Sequence, residues 1–493
     1  IAPGRMVVDG IDPVCYYSYL RSIFFDRDLD FGNEYRMLDK SGSLEEYALT
    51  PTGRRPNSFS IGPALALAPF YAVGHAAARM SPRTPDDGYS PPYQILCFLG
   101  LALYSLGSLI LVFRWLRHFF PEGRACAAAA VMFFGSSAVY YAWPITLMPH
   151  AVGGFFVALF LLCAETGRGS ERAGRWAILG FLTGLMALMR WQNILFVLYL
   201  VPKAAETWRR GERISVLKYA GAGALGWLAA FWPQMAVWQT LYGQPFTVPQ
   251  GAGFMLWARP AIGPLLFSTF NGLFTWTPLT LVGAAGLVWW MKDRNRRGLA
   301  ATLLAIFAAQ VYVNSAVRDW HGSWGFGMRR FVESLPLFAA GLAALLSPVR
   351  NKNRLTLWGL ALSIFLIWNY LFLVQHYFHL VAWHRPLTYH EMVGDKMHIL
   401  ISIERRRLVR TAELAEQTGV FSDVSKALAL ASEIDPNHSD IYMTAGRISA
   451  ARGDLDMAYR FYRKAQEISP EDSDLYNAFK QLRGIRDHYY VYE

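Results

Sequence analysis

Charge is scarce in this sequence. Only 17% of its 493 residues are Asp, Glu, Lys or Arg, against about 25% in an average soluble domain. Cysteine is rarer still: Cys15, Cys97, Cys126 and Cys163 form no CxxC pair and have no metal-ligand spacing, and three of them lie in apolar blocks, where they read as small buried hydrophobes. No Walker A, GxSxG or HExxH motif occurs, which leaves ATP-driven transport and the common hydrolases without support. No basic stripe is interleaved with base-stacking aromatics, so nucleic acid is not an expected partner. No signal peptide is visible and the chain opens on Ile1; the expectation is that further residues, including one membrane helix, precede it.

Apolar residues make up 54% of the chain and aromatics 15%, and they come in blocks. Runs such as Ile95–Leu111, Ala125–Val139 and Leu355–Phe378 approach or exceed the ~20 residues that span a ~30 Å hydrocarbon layer. Few of them alternate apolar with polar residues, and lipid offers the backbone no hydrogen-bond partner, so they must be helices. The expected fold class is all-α: a polytopic helical membrane protein with a soluble helical tail.

The net charge of +11 clusters in short connectors: Arg114–Arg124, Arg168–Arg175, Lys203–Lys218, Lys292–Arg297 and Arg350–Arg354. The positive-inside rule puts all five in the cytoplasm, so the chain crosses an even number of times between consecutive connectors. The blocks 125–141 and 149–164 supply one such pair. Block 176–202, broken by Arg190, Gln192 and Asn193, reads as two short helices turning at the outer side. The pairs 216–238 with 277–291 and 298–317 with 331–346 follow, and 355–378 leaves the tail outside. Block 60–79 carries Pro63 and Pro69, which bend helices; it is expected to be re-entrant or to lie on the surface, with an ordinary crossing as the plain alternative. Three regions result: an extracytoplasmic first loop with a juxtamembrane helix over 1–92, a transmembrane domain over 93–380 and a repeat domain over 405–484. The location read from this pattern is the inner (plasma) membrane.

In the tail, Gly419, Ala431, Ile434, Pro436, Asp440 and Tyr442 recur at one constant offset as Gly453, Ala465, Ile468, Pro470, Asp474 and Tyr476. This period matches that of the tetratricopeptide repeat, which the tail resembles. Two repeats make a marginal solenoid, so the tail is expected to pack on the membrane domain or on a protein partner.

Six polar clusters outside the cytoplasmic connectors are candidates for chemistry. The first runs from Asp9 and Asp12 through Tyr16, Tyr17 and Arg21 to Asp26, Asp28, Asp30 and Glu34. A carboxylate at a membrane surface suits a base for an acceptor hydroxyl, the same groups suit a divalent ion such as Mg2+ or Mn2+, and a solvated acidic loop is the plain alternative. In the second, Arg54 and Arg55, beside Gly53 and close to Asn57, suit a phosphate. The third is Trp143-Pro144 with Pro149-His150 at a helix start. The fourth is Arg190 with Gln192 and Asn193; an arginine inside an apolar block is costly and marks a functional site by default. The fifth is the outer loop 239–276, with Asn271 and Trp276. The sixth runs from Arg318, Asp319 and His321 through Trp324 to Arg329, Arg330 and Glu333. Its aromatics suit either an interface belt or, beside paired arginines, sugar and phosphate recognition.

The order of these motifs resembles the bacterial membrane glycosyltransferases of the GT-C superfamily, in the branch similar to the dolichyl-phosphate-mannose protein mannosyltransferases. The resemblance covers about residues 5–380. It is carried by the loop Asp before Tyr16-Tyr17, by Asp28-Leu29-Asp30-Phe31 and Asn33-Glu34-Tyr35, by Pro51-Thr52-Gly53-Arg54, and by the later Pro149-His150, Arg190-Trp191-Gln192-Asn193, Gly272-Leu273-Phe274 and Phe326-Gly327-Met328-Arg329-Arg330-Phe331. It implies sugar transfer from a polyprenyl-phosphate donor on the extracytoplasmic face, with Asp12 as the catalytic carboxylate. Tyr16, Tyr17, Arg21, Glu34, Arg54, Asn57, His150, Arg190, Gln192, Asn271, Trp276, Trp324, Arg329 and Arg330 are then the expected substrate-binding residues. The family often carries two adjacent acids in the first loop, whereas Pro13 follows Asp12 here, which weakens any metal role. The rival readings are a transporter or flippase for lipid-linked sugars and a membrane scaffold presenting its tail. The first is disfavoured by the lack of inverted halves and the second by Arg190.

Overall fold

The computed structural model describes residues 8, 10–142, 147–166, 172–322, 325–382, 385–418, 421–470 and 472–489. Among these the chain is helical, and the one β feature is an isolated antiparallel bridge between Met255 and Val317. Among the described residues, four helices are long and apolar enough to cross a membrane: Pro91–Leu116, Arg213–Tyr242, Arg297–Ser315 and Lys352–Tyr377. His150–Thr166, Ala173–Met189 and Pro278–Trp290 are shorter apolar helices. The protein is thus a helical membrane protein.

The chain divides into two compact units. The first holds residues 1–265, 277–320 and 328–366. Its helices meet where glycine removes the side chain. In the pair Ala173–Met189 and Arg213–Tyr242, a Cβ on Gly180 would overlap the Gly223 carbonyl. In the pair Pro278–Trp290 and Leu335–Leu346, a Cβ on Gly341 would overlap the carbonyl of Gly283. Small residues at such crossings let backbones approach where no hydrophobic gain separates protein from lipid tails.

Several apolar blocks are less regular than their composition predicts. Block 125–141 is a helix Glu122–Phe134, interrupted at Gly135, and a short turn Ala138–Ala142. In block 176–202, the first of the two expected short helices is Ala173–Met189, a helix of 17 residues, about 25 Å long at 1.5 Å per residue. It stops at Arg190, whose backbone is extended (φ −154°, ψ 123°). A 3-10 run of 10 residues, Trp191–Leu200, follows and passes into the helix Val201–Arg209. So long a 3-10 run is unusual and often marks a functional hinge or a strained sequence. Block 60–79 is one continuous helix, Gly62–Arg79, with Pro69 inside. It is not among the four helices that meet the length and hydropathy needed to cross.

The second unit holds residues 266–276, 321–327 and 367–493. Its helices Phe421–Ile434 and Leu455–Ile468 are offset by one full repeat period at both ends, and Ser439–Ala451 and Ser473–Tyr489 by the same period at their starts. The repeated Ala431 and Ala465 are both fully buried, the latter against Ala458, Tyr462 and Leu475. Gly419 lies outside the described residues. Two buried arginines tie the segment before the repeat to it. Arg385 donates bidentately to Glu391 (2.6 and 2.8 Å) and through Nε to Asp472 (3.0 Å). Arg405 donates to Asp395 (3.0 Å) and to Asp435.

Gly341→Val tests the close crossing directly. Overpacking costs roughly 1–3 kcal/mol, and more where backbone is the obstacle. The detergent-purified variant is expected to unfold at a lower temperature than wild type, while Gly298→Val, at an exposed glycine with open space around it, leaves the midpoint nearly unchanged.

Candidate active site

The short helix Ile11–Arg21 begins after Gly10, whose φ of +88° suits glycine, and carries Asp12 in its first turn. One turn later Tyr16 falls on the same face. Both line a cavity of about 630 Å³ in the first unit, within the usual range for small-molecule sites. Four other stretches complete its polar side: Ser58–Ser60, Met148–His150 at the start of the helix His150–Thr166, Ala187–Gln192 around the break at Arg190, and Asp319 with Arg329 and Arg330. The rest of the lining is largely apolar, from Phe231 and Trp238 of the long helix Arg213–Tyr242 and Val248, Phe254, Met255 and Trp257 of the loop after it, with Gln234, Thr247 and Gln250 among them. That loop is zipped to residues 315–318 by Leu256 N to Ala316 O (2.6 Å), Ala261 N to Ser315 O (2.9 Å) and Arg318 N to Phe254 O (2.8 Å).

The polar wall is a set of charge pairs. Arg329 Nη1 donates to Asp12 Oδ2 at 2.7 Å, and both side chains keep some solvent access (14% and 23%). Arg330 donates to the backbone and side-chain oxygens of Asp319, while its Nε is buried without a hydrogen-bond partner among the described residues. Arg190 Nη1 donates to Glu333 Oε1 at 3.3 Å. His150 Nδ1 lies 3.1 Å from the same oxygen and 2.8 Å from Arg190 Nη1. Arginine only donates, so His150 serves one of the two at a time: it accepts from Arg190 or donates to Glu333. With its amide turned to satisfy both groups, Gln192 accepts from Arg190 Nε (3.1 Å) and Nη2 (2.7 Å). Gly153, one turn beyond His150, leaves room for the carboxylate, because a Cβ there would sit 3.0 Å from Glu333 Cγ. Among the described residues, Glu333 Oε2, Gln234 Nε2 and Asn193 Nδ2 near the cavity are also buried and unpartnered.

Seven of the residues expected from sequence therefore line one cavity: Asp12, Tyr16, His150, Arg190, Gln192, Arg329 and Arg330. Five others of the first unit do not line it. Tyr17, about 100° further round the helix, is fully buried and donates to Gly88 O at 2.7 Å, an oxygen that Tyr71 also reaches. Arg21 pairs with Asp26 and, at 3.2 Å, with Glu34, and lies over the rings of Phe25 and Tyr89. Arg54 closes a turn through its backbone with Thr50. Asn57 is buried and donates to Cys15 O (2.9 Å), which holds Ser58–Ser60 against the Asp12 helix. Asn271 and Trp276 belong to the second unit. There Asn271 donates to His321 O (3.0 Å), and Trp276 donates to Thr269 O (2.9 Å) and stacks on Phe372. Trp324 lies outside the described residues, as do Asp9, Trp143 and Pro144.

Asp319 and Glu333 belong to the sixth polar cluster of the sequence but were not among the expected substrate-binding residues, and Gln234 was in neither set. Glu333 carries a further signal: it is an acid at the start of the apolar run Leu335–Leu346, where a buried carboxylate needs cations nearby. Gln234 has no such signal beyond its place in an apolar helix. Among the described residues, two groups of three side chains have metal-ligand proximity, His390 with Asp395 and Asp435, and Glu391 with His438 and Asp440. Both are in the second unit, where Arg405 and Arg385 already pair with their carboxylates. Neither includes Asp12.

No protein-family model and no curated protein matches the chain. Two solved structures do: crystal structures of ArnT from Cupriavidus metallidurans, bound to undecaprenyl phosphate (TM-score 0.48) and in the apo state (TM-score 0.44). Each is 14% identical, and the match covers 89% of this chain and 76% of that one.

The separate Arg21–Glu34 cluster makes its own prediction. Burial pushes the Glu34 carboxyl up to about 7, against the pull of Arg21. An acid with a raised folded pKa favours the native state while protonated, so wild-type stability falls as pH rises from the unfolded value of about 4.3 through 7. Glu34→Gln is expected to flatten that fall in thermal unfolding followed from pH 5 to pH 8; an unchanged slope contradicts the assignment.

Proposed function

We infer that the cavity of the first unit transfers a sugar from a polyprenyl-phosphate donor to an acceptor, as a membrane glycosyltransferase of the GT-C type. The observation that carries this reading is the convergence of Asp12, His150, Arg190, Arg329 and Arg330 on one cavity that is also lined by Phe231, Trp238, Val248, Phe254, Met255 and Trp257. An acid or an arginine alone reads as a solvated charge. A carboxylate, three guanidiniums and an aromatic-lined wall together suit a ligand with a phosphate, a polar group to be deprotonated and a lipid chain.

The chemistry follows from the pairs. The acceptor hydroxyl gives its proton to Asp12 as its oxygen attacks the anomeric carbon from the face opposite the phosphate, and the bond from that carbon to the phosphate oxygen breaks. The configuration inverts, and the lipid phosphate leaves carrying the electron pair. Arginines aimed at the departing oxygens stabilise that charge. Arg329 has a double role. In the ligand-free arrangement it holds Asp12; a phosphate drawing it away releases the carboxylate to act as base. Arg190 is held by Glu333 and Gln192, so its guanidinium is already oriented before substrate arrives.

The finer features belong to the same proposal. By the order of its motifs the chain is similar to the protein mannosyltransferases, the site and the tail face the extracytoplasmic side of the inner membrane, and the repeat tail is a tetratricopeptide-like platform for a protein partner. The rival reading is a lipid-linked-sugar flippase or a membrane scaffold. It is separated from the enzyme by incubating the purified chain with radiolabelled polyprenyl-phosphate sugar and an acceptor mixture. Release of lipid phosphate with label in the acceptor is expected, and movement of intact donor without release rejects the enzyme.

Asp12→Asn is expected to lower that release at least 100-fold, the scale of a lost general base, with normal expression and unfolding temperature. Arg329→Lys keeps the charge but not the fork that serves Asp12, and is expected to lower the rate by about tenfold or more. Wild-type activity in the purified Asp12→Asn variant rejects the assignment.

A further inference from the structure

A second cavity of about 550 Å³ lies at the other end of the helix Ala173–Met189. Arg190 at the first cavity and Arg175 at this one are separated by the length of that helix, about 22 Å at 1.5 Å per residue. Three cations line it, one from each of three different connectors: Arg175, Lys203 and Arg296. These connectors are among the ones that the basic pattern assigns to the cytoplasm. The only acid among its described lining residues is Glu206, which already receives a hydrogen bond from Arg210. Glu165 lies behind the lining, where the hydroxyl of Tyr199 donates to it at 2.8 Å. Apolar surface completes the wall, from Trp176, Leu179 and Leu299.

The combination is directional. A free anion needs the cations and gains nothing from the leucines. A lipid needs both: a phosphate among the guanidiniums and ammonium, and acyl chains along an apolar flank that continues into the membrane. Arg175 is held in place by donating to the carbonyls of Cys163 and Ala164 (3.2 and 2.8 Å) at the end of the helix His150–Thr166. Arg296 is held by its stack on Phe119, 5.3 Å from the ring centroid. Basic pockets between membrane helices on the cytoplasmic side are where anionic headgroups bind. We propose that this cavity binds the phosphate headgroup of an anionic phospholipid of the cytoplasmic leaflet, at a site separate from the candidate active site. The site assignment stands whether or not the first cavity transfers a sugar.

The test is native mass spectrometry of the delipidated full chain titrated with dioleoyl-phosphatidylglycerol, dioleoyl-phosphatidylcholine or inorganic phosphate. Phosphatidylglycerol is expected to bind, phosphatidylcholine to bind at least tenfold more weakly, and inorganic phosphate not to compete at equal concentration. The double variant Lys203→Gln/Arg296→Gln leaves the Arg175 cap intact. It is expected to weaken phosphatidylglycerol binding roughly 10- to 30-fold, at about 1 kcal/mol for each cation near an anionic lipid. Glu206→Gln removes the acid and is expected to strengthen binding, so the two variants move in opposite directions while a folding defect weakens both. Equal binding of the two lipids, an unaffected double variant, or competition by inorganic phosphate overturns the proposal.

Discussion

One buried carboxylate organises the candidate site. Glu333 is 1% exposed and sits where three pieces of chain meet: the start of the helix His150–Thr166, the break at Arg190, and the 3-10 turn Arg329–Ser334. It accepts from Arg190 and faces His150. A guanidinium stays charged even in an apolar setting, so burying it without such a partner is costly, and removing one member of a buried pair typically costs about 3–5 kcal/mol. Arg190 therefore stands at the cavity because Glu333 is there, and Glu333 is tolerated because Arg190 and His150 are. The other two pairs, Asp12 with Arg329 and Asp319 with Arg330, extend the same balance: three arginines matched by three carboxylates.

The fold supplies the scaffold through backbone irregularity at the cavity and regularity away from it. Glycines at 180, 283 and 341 let helices cross at backbone distance. Around the cavity the chain breaks: the extended Arg190, the 3-10 runs Trp191–Leu200 and Arg329–Ser334, and the pinned loop 243–261. Broken helices free backbone groups that lipid cannot satisfy, and such segments are tolerated only where protein or a cavity surrounds them.

The fold class was legible because the hydrophobic pattern is strong. Apolar blocks in a charge-poor chain leave helices as the one solution, and the repeat period of the tail reappears in its helix boundaries. Arg190 stood out for the same reason, since a cation in an apolar run needs an explanation. What the sequence hid was direction. Tyr16 and Tyr17 are neighbours in the chain and face different ways on the helix, so only the first reaches the cavity. Arg21, Glu34 and Asn57 are polar residues whose partners are internal: an ion pair, a buried carboxylate, a backbone carbonyl. Asn271 and Trp276 are likewise engaged within their own unit. Glu333 was named within the sixth cluster, but its pairing was not legible, because its partners lie 143 and 183 residues away in the chain, which no local pattern records.

The most direct test of the shared cavity is an experimental structure of the chain in lipid nanodiscs with a polyprenyl phosphate bound. The account predicts density for the phosphate within hydrogen-bond distance of Arg190 or Arg329, the isoprenoid chain along Phe231, Trp238 and Trp257, and the Asp12–Arg329 contact opened. A phosphate bound elsewhere, with Asp12 still paired to Arg329 and the cavity empty of lipid, would contradict it.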